Sequence, residues 1–229
     1  MLLLAFDTAG PQCAVALARG DQDSFEILAG ATERIVRGHA ERLMPMIEAA
    51  LDQSGLAFGD IERIAVTIGP GSFTGVRVGV AAGRGLGLAL AIPIVGIGTL
   101  HALAVAVEPH RYGTAVAVLD ARRNEIYALV QDIASGRLLH GPAVCRVDEL
   151  AGSLAALPKP LILTGTGAPL LAAALDEPEL EMIRTAEAPE IASVAALGFR
   201  AAPGGPPPVP LYLRGADAKP QTGKALERA

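Results

Sequence analysis

Short apolar runs alternate with amphipathic segments along nearly the whole chain. Leu2–Phe6 is a continuous apolar run of strand length, closed by the turn-forming Asp7-Thr8-Ala9-Gly10-Pro11. Cys13–Ala18 and Ser24–Ala29 read as two more strands, joined by Arg19-Gly20-Asp21. The period then changes. Over His39–Gln53, residues Leu43, Met46, Ile47, Ala50 and Leu51 fall on one face of a helix. Pro45 either kinks that helix or marks its true start. Arg63–Ile68 predicts a strand, Gly75–Leu90 a helix, Pro93–Val95 a strand and Thr99–Val107 a helix. The order is βββαβαβα.

The second half repeats it. Thr114–Leu119, Glu125–Asp132 and Arg137–His140 read as strands, with a turn over Asp120–Asn124. Val147–Leu157 reads as a helix, Leu161–Thr164 as a strand and Ala168–Leu175 as a helix. Glu181–Thr185 follows as a short strand, and Pro189–Ala202 as a helix with proline in its first turn. The period is roughly 110 residues, with little residue identity between the halves. Two such lobes flanking a cleft is the layout of the actin, Hsp70 and sugar-kinase superfamily. The expected fold is therefore α/β, two-lobed and actin-like (ribonuclease H-like). The expected parts are 1–107, an N-terminal lobe with partner-binding helices, 108–203, a C-terminal lobe, and 204–229, a linker and tail. Gly204-Gly205-Pro206-Pro207-Pro208 suits an extended linker, Leu211-Tyr212-Leu213-Arg214 an apolar anchor that docks back, and Gly215–Ala229 a disordered polar tail.

The stretch Ile68–Gly87 stands out. A β-branched run leads into Gly69-Pro70-Gly71, a turn that permits unusual dihedrals, and Ser72 or Thr74 is placed to cap the helix that follows. No G-K-[ST] follows, so this is not a Walker loop, and Ser72 stands one position too early for a nucleophile elbow. A phosphate cradle at a helix N-terminus and a purely structural turn both remain open. Gly75, Gly79, Gly83 and Gly87 form a stripe along the helix, each costing about 1 kcal/mol against alanine. Such a stripe implies that another backbone packs closely, either in a partner or within the same lobe.

Composition narrows the function. With 51% apolar residues the chain has ample core, while 3% aromatics make that core aliphatic. A net charge of −5 argues against autonomous nucleic-acid binding. Cys13 and Cys145 match no zinc or redox spacing and read as small buried residues. His39, His101, His110 and His140 are scattered with no ligand spacing, and no Ser/His/Asp set assembles. Gly85–Val107 is 23 residues long without an acid or base, yet Pro93, Gly96 and Gly98 break it into helix, turn, strand and helix. With no signal peptide at Met1–Phe6, a soluble, cytoplasmic protein is expected. Asp7 and Thr8 end the first strand, where the superfamily places an acid near nucleotide phosphates and metal. Thr164-Gly165-Thr166-Gly167 ends the matching strand of the second half. Asp7, Thr8, Gly69, Gly71 and Ser72 are thus the candidate nucleotide contacts. Against them, the turn Asp120–Glu125 is crowded with long side chains and suits an ion-pair network or contact surface.

The run Ile68-Gly69-Pro70-Gly71-Ser72-Phe73-Thr74-Gly75-Val76-Arg77-Val78-Gly79 resembles the signature of the bacterial TsaB family, also called YeaZ. Leu4–Ala9, His39–Pro45, Asp120–Tyr127 and Tyr212-Leu213-Arg214 fit the same family in order. The resemblance implies an accessory subunit, not an enzyme, in making threonylcarbamoyladenosine in tRNA. Its partner would be TsaD, the catalytic paralogue that acts on N6 of adenosine 37 in tRNAs reading ANN codons. TsaE would be the associated ATPase, tRNA would be met only through the complex, and the free chain would self-associate as a homodimer. No resident cofactor is implied, with ATP or ADP as the ligand of the complex interface. TsaD carries an H-x-x-x-H metal pair, and here Ile97-Gly98-Thr99-Leu100-His101 puts isoleucine in place of the first ligand, so no metal is expected. The resemblance also puts the TsaD interface on the first two helices, making His39, Leu43, Met46, Ile47, Gly75, Val76, Gly79 and Gly83 the expected partner surface. An ATP-dependent kinase or ATPase is the alternative, and a metalloprotease, after older glycoprotease naming, a third.

Overall fold

The computed structural model describes residues 1–107, 112–175, 180–202 and 204–214. In the first half, β1 (Leu2–Asp7), β2 (Gln12–Gly20), β3 (Phe25–Arg34), α1 (His39–Ser54), β4 (Arg63–Gly69), α2 (Phe73–Leu90), β5 (Ile94–Gly98) and α3 (Thr99–Val105) follow in order. The second half runs β6 (Thr114–Arg122), β7 (Glu125–Asp132), β8 (Leu138–Arg146), α4 (Val147–Leu154), β9 (Leu161–Thr164), α5 (Ala168–Ala174), β10 (Leu180–Arg184) and α6 (Ile191–Arg200). The duplicated βββαβαβα order is borne out. Residues 108–111, where the expected C-terminal lobe begins and which include His110, and the tail from Gly215 lie outside the described residues.

Each half builds one five-stranded sheet, ordered β3-β2-β1-β4-β5 and β10-β9-β6-β7-β8. In both, the first three strands form an antiparallel meander and the last two run parallel to the first. This is the two-lobed actin-like fold. β1 is a central strand, which is why its apolar run is continuous. Leu2, Leu4 and Phe6 face α1 and α2, while Leu3 and Ala5 face α6 on the opposite side. In the second sheet Val116 and Val118 face α4 and α5, and Ala115, Ala117 and Leu119 face Leu100, Leu103 and Ala104 of α3. The molecule is thus stacked as helices, sheet, helices, sheet, helices, with α3 and α6 in the middle.

That middle layer changes one expectation. α6, counted with 108–203 on sequence, packs on the first sheet. A Cβ on Gly198 would stand 2.6 Å from the Ala65 Cβ, so the helix lies directly on β4. The buried Arg63 guanidinium donates to the carbonyls of Gly198 at 2.9 Å and Ala201 at 3.0 Å, closing the end of α6. The first lobe is completed by a helix from the far end of the chain.

α1 starts at His39, as expected, and continues through Pro45. Two strand ends move for identifiable reasons. β8 extends to Arg146 despite Pro142, which an edge strand tolerates. β6 continues to Arg122, and Arg122, Arg123 and Asn124 form the tight turn with φ of 63°, 56° and 61°. No helix among the described residues is long and apolar enough to cross a membrane. Gly85–Val107 divides among α2, β5 and α3.

Candidate functional site

Four strand-end turns converge between the lobes: those after β1 and β4 in the first, and those after β6 and β9 in the second. They border a cleft of about 410 Å³, with Gly10, Gly71, Ser72, Asp120, Arg122 and Thr166 on its walls. The ends of β4 and β9 are built alike. Gly69 and Gly165 both take φ of +104°, which side chains rarely adopt. Two residues on, Gly71 and Gly167 lie against the preceding turns. A Cβ would stand 2.3 Å from the Ala9 carbonyl oxygen at Gly71, and 3.2 Å from the Leu119 carbonyl carbon at Gly167. The G-x-G pairs are therefore needed for close backbone approach.

The candidate nucleotide contacts separate on this geometry. Gly71 and Ser72 border the cleft, and Ser72 Oγ caps α2 by accepting from the Gly75 N–H at 3.3 Å. Asp7, Thr8 and Gly69 are buried beneath it. Asp7 Oδ1 accepts from the Thr67 hydroxyl at 2.5 Å and the Ala9 N–H at 2.9 Å. Burial pushes the Asp7 carboxyl above its ordinary pKa, partly offset by Thr67, Ala9, Gln12 and His39. The Thr8 hydroxyl donates to the Gly75 carbonyl at 2.7 Å. An actin-like fold implies a nucleotide and its metal in such a cleft. The donors here suit a metal poorly, because Asp7 Oδ1 and the Thr8 hydroxyl are engaged in internal bonds, which leaves the buried Asp7 Oδ2 as the one unpartnered oxygen of the two side chains. Among the described residues no group of three or more His, Cys, Asp or Glu is arranged to hold one. Ile97 is buried in the first lobe, and burial lowers the pKa of His101.

The glycine stripe faces inward, which corrects the expected partner surface. A Cβ would stand 2.0 Å from the Thr8 carbonyl oxygen at Gly75, and 2.5 Å from the Thr8 hydroxyl oxygen at Gly79. At Gly83 it would touch Phe6 and Val66 at 3.4 Å, and at Gly87 it would collide with Ile94 at 2.4 Å. The close neighbours are therefore β1, β4 and β5 of the same lobe. Leu43, Met46 and Ile47 are buried in the same core, and Val76 is buried against Ala9. His39 is 8% exposed, with Nε2 3.1 Å from the Gly10 carbonyl oxygen. All eight residues are buried within the chain. The apolar faces of α1 and α2 cover the lobe's own sheet.

What α2 does present is its other face, which the sequence reading passed over. Leu88 is 85% exposed and Phe73 57%, with Arg77, Ala81 and Arg84 exposed between them. The Arg77 guanidinium lies 3.7 Å over the Phe73 ring. Tyr212 stacks beside Phe73 with centroids 5.5 Å apart, and its hydroxyl accepts from Arg77 Nε at 2.8 Å. The positions 73, 77, 81, 84 and 88 keep helical spacing, so a wheel drawn opposite the glycines finds them.

A family model described as TsaD, tRNA N6-adenosine threonylcarbamoyltransferase, matches residues 31–198. The tRNA threonylcarbamoyladenosine biosynthesis protein TsaB of Escherichia coli is 33% identical over 171 residues, covering 73% of this chain and 72% of that protein. The chain belongs to the TsaB family. The Haemophilus influenzae protein of the same description is 41% identical over 129 residues, 56% of this chain. The match spans about half, 52%, of that relative's length. The solved structure of YeaZ from Pseudomonas aeruginosa has a TM-score of 0.76 at 29% identity, covering 93% of this chain and 99% of that one. The family read from residues 68–79 is thereby borne out, together with its fold.

Proposed function

We propose that this chain is an accessory, non-catalytic subunit in the threonylcarbamoyl modification of tRNA adenosine 37, docking on TsaD. The observation that carries the proposal is the division of α2 into two faces. The glycine face is closed against its own sheet, and the face with Phe73, Arg77, Arg84 and Leu88 is open. An exposed apolar and aromatic patch flanked by arginines suits a protein partner. The names of the family's curated relatives supply the pathway. In this reading the same face serves self-association of the free chain, TsaE joins the assembled complex, and tRNA is met through TsaD. Calorimetric titration of the chain into TsaD from the same organism tests it. A saturable one-to-one isotherm is expected, and no heat of binding refutes it.

A second reading, an ATP-dependent kinase or ATPase, has one observation in its favour: two G-x-G strand ends facing one cleft. Metal-dependent ATP turnover by the chain alone, lost in Asp7→Ala, would establish it.

A further inference from the structure

We propose that Leu211–Arg214 is a strap that couples the cleft-side turn of the second lobe to the outward face of α2. Four consecutive residues attach to four different places. The Leu211 N–H donates to the Ile68 carbonyl at 2.7 Å, extending the end of β4. Tyr212 completes the cluster with Phe73 and Arg77 on α2. Leu213 packs into the core that α3 shares with the second sheet. Arg214 donates to the Ala121 carbonyl at 3.1 Å and pairs with Glu125, gripping both strands of the β6–β7 turn.

The turn held by Arg214 is the one with three successive non-glycine residues at positive φ. Such a backbone persists only where its surroundings impose it. Its Asp120 and Arg122 are on the cleft wall, and the Asp120 N–H donates to Thr166 Oγ1 at 3.0 Å. The strap therefore links the cleft wall, through Arg214, Leu213 and Tyr212, to the aromatic cluster on α2. A change in the turn is transmitted along the backbone from Arg214 to Tyr212. Its bearing on partner capture rests on the docking of TsaD at the outward face of α2.

Hydrogen–deuterium exchange of the full chain, without partner, tests the coupling. Arg214→Ala removes the side-chain contacts to Ala121 and Glu125, which lie in the second lobe. Coupling predicts exchange about tenfold faster at 121–126 and also at Leu211 and the first turn of α2. Tyr212→Ala should reciprocally speed exchange at 121–126. Changes confined in each variant to its own lobe overturn the proposal. If Arg214→Ala does not fold, Glu125→Gln removes the ion pair with little change of shape and carries the same expectation. TsaD affinity is measured separately. A wild-type chain that fails to bind TsaD refutes the docking reading and leaves the exchange result standing. Wild-type binding that Arg214→Ala leaves unchanged refutes the relay to the partner face.

Discussion

Thr8 and Gly75 meet backbone to backbone in the first lobe. The Thr8 hydroxyl donates to the Gly75 carbonyl at 2.7 Å, and a Cβ on Gly75 would stand 2.0 Å from the Thr8 carbonyl oxygen. Gly75→Ala must push α2 away from the end of β1. Overpacking of this kind costs about 1–3 kcal/mol, outweighing the roughly 1 kcal/mol that alanine adds in helix propensity. Gly85, on the same helix, has nothing within 4 Å of where its Cβ would be. Thermal melts should therefore move in opposite directions, down for Gly75→Ala and up for Gly85→Ala. A Gly75→Ala protein as stable as wild type would mean that the stripe is not the lobe's internal contact.

The buried Asp7 carboxyl gives stability a pH dependence of known sign. Burial raises its pKa in the folded state, so the folded chain holds that proton more tightly than the unfolded one. The contribution is fully present below the unfolded value, about 3.9, and is lost as pH rises through the folded value. Asp7→Asn keeps the shape without the charge. It should be more stable than wild type at pH 7, with the gap closing toward pH 4. A variant that is instead less stable at pH 7 would show that the ionised form is the one the fold requires.

Arg63 ties the last helix to the first lobe. Its guanidinium is buried and donates to the Gly198 and Ala201 carbonyls. Hydrogen bonds from a charged group contribute about 1.5–3 kcal/mol, so Arg63→Met should lower stability by about that much. The loss should appear as faster amide exchange in α6 before any change in α4 or α5. Uniform loss across both lobes would mean that α6 does not act as part of the first.

The fold was largely legible because its strands are short apolar runs and its helices carry a clear stripe, so periodicity alone reproduces the duplicated order. The assignment of α6 was not. Apolar residues such as Val194, Ala195 and Phe199 do not say which sheet receives the helix; the packing of α6 on Leu3, Ala5 and Ala65 decides. The site was legible in part. The pattern of Gly75, Gly79, Gly83 and Gly87 announces a close backbone, but glycines pack equally well on a neighbour or on their own sheet. The open face was hidden for the opposite reason: Arg77 and Arg84 read as ordinary solvent-facing charges, and Tyr212 joins them from 135 positions away in sequence.

Size-exclusion chromatography with light scattering tests the central claim, using the wild-type chain and Leu88→Glu, each mixed with TsaD from the same organism. Leu88 is 85% exposed, so the substitution should leave the melting midpoint unchanged. The account predicts a one-to-one complex with wild type and its loss with Leu88→Glu. Absence of a wild-type complex, with or without nucleotide and TsaE, would contradict it, as would a complex that Leu88→Glu leaves intact.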